Sequence, residues 1–338
     1  MSGRKVTTGI HYEKFIIPPS GTHNTVAPFT SKMIKGEEVA IHAIRINGKN
    51  VGPTVYIGGG MHGDEINGVE AILRISRTID NKNLRGKLIL VPVQNPGGYS
   101  FRTRLCPYDP IDPDWIHPGR KEGTYSQRMK YILNSLASEA DCVIDLHTAG
   151  RGGSNNPMIY VPPETGNGAG EKSIELAKAF GGDRIIYGNS EDDYGWPVHL
   201  AMPFVAVKEG KMGLYPEAGQ GGSYLPEERF VKYFITGVFN VLKKLDMIDG
   251  DIESQGEILI QKPLEVKDLN VRVKEGGLFN PIVDVGNMVK KGDKLGEIHH
   301  IPKGVHEINA PITGLITWSA TYGTISDNGR VFTISPKT

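Results

Sequence analysis

Within Gly58-Gly59-Gly60-Met61-His62-Gly63-Asp64-Glu65, an imidazole and a carboxylate stand three residues apart, just past a short apolar run and at the mouth of a helical pattern. That spacing can aim both side chains at one point, and zinc accepts both imidazole and carboxylate. The same pair could do no more than cap a helix. A further ligand is offered by Cys142-Val143-Ile144-Asp145-Leu146-His147-Thr148-Ala149-Gly150, where an apolar strand delivers His147 as the chain turns into a Gly-rich loop. Asp145, two residues earlier on the same strand face, can orient an imidazole from behind; alternatively it only helps the loop turn. Two His and one Glu would leave Zn²⁺ with a net charge of about +1 and a vacant position for water, whose pKa such a site lowers to ~7.

Hydrolysis also needs a base for the water and a donor for the developing oxyanion. Glu217, in Tyr215-Pro216-Glu217-Ala218-Gly219, is a lone acid among apolar and glycine residues. Partial desolvation there would raise its pKa toward the working range, though a surface turn would use the same residues. Oxyanion donors are available in Asn95-Pro96-Gly97-Gly98-Tyr99-Ser100-Phe101-Arg102-Thr103-Arg104, since a guanidinium stays charged and presents a rigid fork. Either arginine could equally be a surface ion-pair partner.

These residues need a scaffold. The alternation over 38–46 reads as a strand and Asn47-Gly48 as a hairpin-type turn. Thr54-Val55-Tyr56-Ile57, Leu88-Ile89-Leu90-Val91-Pro92-Val93 and 142–146 read as buried strands, while helical spacing covers 66–75, 126–140 and 227–245. Strands alternating with helices predict an α/β fold, a sheet flanked by helices. From about residue 257 the residues alternate and Gly and Pro recur, predicting a small all-β module with a boundary near 250: a catalytic α/β domain over 1–250 and a β domain over 251–338. Gly286, Gly292 and Leu295 recur as Gly323, Gly329 and Phe332 at one fixed offset, suggesting two similar β units folded against each other.

Composition narrows the function classes. Lys+Arg and Asp+Glu are 38 each in 338 residues, so neither nucleic acid nor an anionic membrane is an expected partner. Hydrophobic residues make up 38%, enough for a full core, and no apolar run approaches the roughly 18 residues of a membrane span. The first ten residues carry no apolar leader stretch, and the two cysteines, Cys106 and Cys142, suit a reducing cytoplasm. Both read as small apolar residues. Gly58-Gly59-Gly60 lacks the Gly-Lys-Ser/Thr of a phosphate loop, so it is read as close backbone packing. A homo-oligomer is compatible with the sequence.

His62-Gly63-Asp64-Glu65, then Asn95-Pro96 with a following Arg, then Asp145-Leu146-His147, then Glu217-Ala218-Gly219, then a β module resembles the succinylglutamate desuccinylase/aspartoacylase family of the zinc carboxypeptidase superfamily, from about Thr54 to the C-terminus. The resemblance implies a zinc-carboxypeptidase-like mixed sheet, one zinc per chain, and hydrolysis of the amide bond of a small N-acyl substrate. By position it makes His62, Glu65 and His147 the ligands and Glu217 the general base and later acid. Arg104 best matches the arginine that polarises the scissile carbonyl, with Arg102 as the fallback. The rival readings are a carboxypeptidase-type peptidase and a binding protein that keeps zinc without catalysis.

One segment departs from the family pattern. Where relatives carry Asp-Leu-Asn-Arg before Phe-Pro-Gly, with Asn and Arg gripping a substrate carboxylate, this chain reads Asp112-Pro113-Asp114-Trp115-Ile116-His117-Pro118-Gly119. An acid there should repel a carboxylate, and Trp115 offers an apolar or cation-attracting face. The expectation is a substrate lacking a carboxylate at this subsite or carrying a positive charge there; alternatively Arg120, Arg128 or Arg151 takes over the grip. The C-terminal module resembles the barrel-sandwich fold of biotinyl and lipoyl carriers, but 303–308 lacks a carrier lysine tip, so a carrier role is not expected; the family resemblance implies that the module packs against the catalytic domain and narrows its mouth. His299, His300 and His306 are read as a solvated loop rather than a second metal site.

Overall fold

Two antiparallel strands, β1 (Gly9–Ile16) and β2 (Ala40–Asn47), begin the architecture. The computed structural model describes residues 9–17, 39–107, 109–162, 166–188, 197–261, 268–301 and 303–336. Glu38, the expected start of the second strand, lies outside the described residues. There follow β3 (Asn50–Gly59), α1 (Asn67–Thr78), β4 (Arg85–Val91), α2 (Pro96–Phe101), α3 (Tyr125–Ala137) and β5 (Cys142–Leu146). The turn at Asn47-Gly48 does not make the expected hairpin. β4 lies between β2 and β3, antiparallel to the first and parallel to the second, and Gly48 N donates to Gly86 O as β4 begins. Leu88 to Val91 are buried throughout, which suits an interior strand rather than an edge.

The second half adds β6 (Gly153–Val161), α4 (Ala169–Phe180), β7 (Arg184–Tyr187), α5 (Met202–Lys208), β8 (Met212–Gln220) and α6 (Glu228–Lys244). Helix α6 buries the stripe read from the sequence, Phe230, Val231, Phe234, Val238, Val241 and Leu242. Each such side chain contributes about 1.5–3 kcal/mol when fully buried. Parallel strands β3, β5 and β8 stand side by side, so their carboxyl ends open at one place, where α/β sheets carry their ligands.

The C-terminal residues form β9 (Leu259–Gln261), β10 (Leu269–Arg272), β11 (Gly277–Pro281), β12 (Met288–Val289), β13 (Lys294–His300), β14 (Gly304–Asn309), β15 (Gly314–Ala320), β16 (Thr324–Ile325) and β17 (Arg330–Pro336). Four of them make a separate antiparallel sheet in the order β14-β13-β11-β16. Others extend the large mixed sheet, β1-β2-β4-β3-β5-β8-β6-β15-β17-β10, through antiparallel pairing of β15 with β6. The apolar core is continuous across that junction, running from Phe180 and Phe234 to Leu295 and Phe332.

The internal echo has a structural counterpart. β12 lies in the large sheet and β13 in the small one; one repeat later β16 lies in the small sheet and β17 in the large one. Leu295 and Phe332 are both fully buried. His299 and His300 sit on β13 and His306 on β14, not in a loop, because Leu295, Ile298 and Ile308 take the inward face. They join no metal-holding group among the described residues. Cys106 and Cys142 are both buried. Among the described residues, no helix is long and apolar enough to cross a membrane.

Candidate metal centre and catalytic site

The segment after β3 is shaped by its glycines. A Cβ on Gly63 would lie 1.9 Å from the Gly98 carbonyl carbon, so only glycine lets the His62–Glu65 turn press against α2. Gly63 N donates to Arg104 O at 3.1 Å and Glu65 N to His62 O at 3.1 Å, which locks the turn. A Cβ on Gly58 would meet the Gln94 carboxamide at 2.6 Å. That carboxamide lies across β3, donates to Asp145 Oδ1 at 2.5 Å and accepts from Tyr56 Oη at 2.8 Å. The glycine run therefore serves close backbone packing beside the site.

His62, Glu65 and His147 converge. Glu65 Oε1 is 2.9 Å from His62 Nδ1 and Glu65 Oε2 is 3.1 Å from His147 Nδ1. All three residues are at most 2% exposed, with ligand atoms within 4.8 Å of one another. Thr148 N donates to Glu65 Oε2 at 2.9 Å. The opposite ring nitrogens face carboxylates: His62 Nε2 is 3.2 Å from Asp112 Oδ1, and His147 Nε2 is 3.4 Å from Asp145 Oδ2. Such a carboxylate behind an imidazole fixes its orientation and raises its basicity as a metal ligand.

The electrostatics call for a cation. Glu65, Asp112, Asp114 and Asp145 surround the two imidazoles, opposed by Arg104 and Lys130. With neutral imidazoles, roughly two negative charges stay uncompensated, the charge of one divalent ion. Burial works against a charged His62, yet the Glu65 and Asp112 carboxylates outweigh it and push the imidazole up to about 9. Burial likewise works against ionised Glu65, but the two imidazoles hold it well below the usual carboxylate range. His62 Nδ1 is buried and lies 2.9 Å from Glu65 Oε1 without a well-aligned hydrogen bond. Donor chemistry and charge both fit a divalent metal.

Of the two arginines weighed from sequence, Arg104 reaches the cluster. Its Nη1 is 3.1 Å from Glu65 Oε1 and its Nη2 3.2 Å from Asp112 Oδ2, while the side chain stays 37% exposed. Arg102 caps α2 in a left-handed conformation (φ 56°) and is exposed. Glu217 lies on β8, whose backbone pairs with the chain at His147: His147 N donates to Pro216 O at 2.9 Å and Ala218 N to His147 O at 3.1 Å. The carboxylate keeps partial exposure, and burial reinforced by the Glu65 charge pushes it up to about 7.

Asp114, the acid expected to repel a carboxylate at this subsite, is buried against the imidazoles. It is 1% exposed, accepts from Tyr215 Oη at 2.9 Å, and lies 3.6 Å from His62 Nε2 and 3.9 Å from His147 Nε2. Lys130, fully buried on α3, stands 3.9 Å from its other oxygen. The Tyr215 ring stacks on His147 with centroids 4.0 Å apart. Buried acid, lysine and phenol thus brace the imidazoles from behind, whereas Trp115 is turned outward and 44% exposed. Of the substitute arginines, Arg128 is bonded to Gly123 O and Arg120 is exposed beside α3, but Arg151 borders the site on the loop after His147.

Sequence reasoning missed Lys130, Gln94, the Tyr215 contacts and Asn155, whose Nδ2 donates to Glu217 Oε2 at 2.5 Å. The polar run Ser154-Asn155-Asn156, buried on β6, was the available signal for the last.

Residues 51–245 match the family model of the succinylglutamate desuccinylase/aspartoacylase catalytic domain. The chain is 24% identical over 253 residues to N-alpha-acetyl-L-2,4-diaminobutyric acid deacetylase from Halomonas elongata, covering 75% of this chain and 72% of the relative. Among solved structures, the fold superposes on a succinylglutamate desuccinylase/aspartoacylase from Rhodobacter sphaeroides with a TM-score of 0.77 at 24% identity, covering 98% of this chain and 96% of that one. It also superposes on product-bound ectoine utilization protein EutE (DoeB) from Ruegeria pomeroyi with a TM-score of 0.76 at 22% identity, again over 98% and 96%. With more than half its length matched by the family model, the chain belongs to the succinylglutamate desuccinylase/aspartoacylase family.

Proposed function

We propose that this protein is a zinc-dependent hydrolase that cleaves the amide bond of a small N-acylated amine or amino acid. The observation that carries the reading is the convergence of the His62, Glu65 and His147 donor atoms within 4.8 Å, beside Arg104 and Glu217. Those three residues would hold one Zn²⁺. A bound ion there supplies Lewis acidity, bringing the pKa of water near ~7 and polarising a carbonyl.

The remaining chemistry belongs to the chain. Glu217 Oε1, the oxygen Asn155 leaves free, accepts a proton from the attacking water and later returns it to the leaving amine. A carboxyl poised near 7 can do both. Arg104, already close to the cluster, donates to the oxyanion as the carbonyl carbon becomes tetrahedral. Asp112, Asp114 and Asp145 keep the imidazoles oriented. The assignment places catalysis in residues 1–250 and gives 251–338 the role of walling the mouth. A chain with only two cysteines, both buried, supports a cytoplasmic location.

The test is metal analysis of the purified protein together with amine release from acetyl, succinyl and formyl amides. The reading predicts zinc and turnover of at least one class. Release of C-terminal residues from peptides, without turnover of small amides, would favour a peptidase; zinc without any turnover would favour a binding protein.

A further inference from the structure

Lys130 sits in the second turn of α3 and is fully buried. Lysine is almost never found so far from water unless it is paired. Here the Nζ makes no hydrogen bond among the described residues. The carboxylate within ion-pair distance is Asp114, whose Oδ1 lies 3.9 Å away and is itself without a hydrogen bond. The loop 117–120 shuts the helix in. Gly119 (φ 81°) lays the chain against the backbone at 127–131, where an added Cβ would meet Gln127 O and Tyr131 N at 2.5 Å, and Asn134 Nδ2 donates to Pro118 O at 2.6 Å. Leucine or methionine would fill the same space without desolvating a charge, so packing alone does not account for a lysine.

Asp114 connects that charge to the imidazoles. Its Oδ2 turns toward them, 3.6 Å from His62 Nε2 and 3.9 Å from His147 Nε2, while Oδ1 turns toward Lys130. The carboxylate is held in place, since Tyr215 Oη donates to Oδ2 at 2.9 Å and Asp114 N donates to Asp112 Oδ1 at 3.1 Å. A carboxylate behind a ligand imidazole strengthens it as a donor. A fixed cation on the far side of that carboxylate does the opposite, and a buried pair is little screened by water or salt. Burial holds Lys130 below its ordinary value, but Asp114, Asp145 and Asp112 all work against that loss of charge.

We propose that Lys130 is a positioning residue that restrains the metal centre: acting through Asp114, it limits how strongly His62 and His147 donate to a divalent ion. The proposal rests on the metal-centre reading and deepens it, making affinity a balance between one buried acid and one buried base. Weaker donation leaves a bound ion the stronger Lewis acid. The sign of the effect separates this role from packing. Removing a residue that only fills space weakens a site, whereas removing Lys130 should tighten it.

The experiment measures zinc dissociation constants, by competition with a chromophoric chelator at one fixed pH, with circular dichroism to confirm folding. It compares wild type, Lys130→Met, Asp114→Asn and the double variant Asp114→Asn/Lys130→Met. Lys130→Met should bind zinc about tenfold tighter and Asp114→Asn about tenfold more weakly, the scale on which groups behind metal ligands act. The double variant, having lost both charges, should return to within about threefold of wild type. If Lys130→Met does not fold, the double variant still decides, because it must bind zinc more tightly than Asp114→Asn. Weaker or unchanged binding in Lys130→Met, or a double variant no tighter than Asp114→Asn, would overturn the role of Lys130 and leave the metal centre standing. A wild-type protein that binds no zinc would overturn the centre and the proposal with it.

Discussion

Asn155 Nδ2 donates to Glu217 Oε2 at 2.5 Å from a strand that pairs with β8 on one edge and with β15 of the C-terminal module on the other. The proposed base is thus steered by a residue whose backbone is held by both parts of the molecule. A hydrogen bond to a charged group contributes about 1.5–3 kcal/mol. Asn155→Ala should therefore lower kcat about tenfold to a hundredfold while zinc content stays unchanged, as read by steady-state kinetics and metal analysis.

Glu217→Gln keeps the shape and the Asn155 neighbour but removes proton transfer. Turnover should fall by about 10²–10⁴ with metal retained. A Glu217→Gln protein of near-normal turnover would falsify the base assignment.

The pH profile follows from the same carboxyl. Burial and Glu65 push Glu217 up to about 7, and the base must be unprotonated to accept a proton. In a pH titration of kcat/KM, activity should fall as pH drops through this region, approaching tenfold per pH unit below it. Residual activity of Glu217→Gln should lack that acidic limb.

Removing a metal donor should cost ion and stability together. His147→Ala deletes one of three converging donors and its stack on Tyr215, and leaves Asp114 and Asp145 facing an emptied position. Zinc content should collapse along with activity. For the wild type, chelation should lower Tm, since a ligand at about a thousand times its Kd stabilises the native state by ~4 kcal/mol. Unchanged melting of the wild type after complete metal removal would contradict the site.

Asp114→Asn should destabilise the fold rather than create a carboxylate grip. The change removes the charge facing buried Lys130 and weakens the acceptor of Tyr215. Breaking one partner of a buried pair costs about 3–5 kcal/mol, reduced here because burial holds Lys130 below its ordinary value and eases its neutralisation. Denaturant unfolding should reveal a loss of about 2 kcal/mol or more, with no gain in activity toward N-acyl amino acids.

Local pattern was enough wherever the chemistry is carried by type and spacing. His62, Glu65 and His147 lie at ends of apolar strands because the buried runs before them have to stop there, and alternation with helices fixed those runs as neighbours in a parallel sheet. The α6 stripe was legible because one face of a helix repeats in sequence. Long-range placement was not written that way. Insertion of β4 between β2 and β3 replaced the hairpin suggested by Asn47-Gly48, since local turn chemistry is silent about which distant strand competes for the same edge. The same limit hid Asn155 and the Tyr215 contacts, whose partners lie 62 to 101 positions away. It also left open the surroundings of Asp114, an acid whose type was plain but whose neighbours, a buried cation and a phenol, were set by the folded chain. Residue type and local periodicity determined the candidate donors and the layers that present them. Only tertiary packing decided which carboxylates brace the imidazoles, which arginine reaches them, and that the C-terminal strands share a sheet with the catalytic layer, because burial and charge compensation are properties of the assembled neighbourhood.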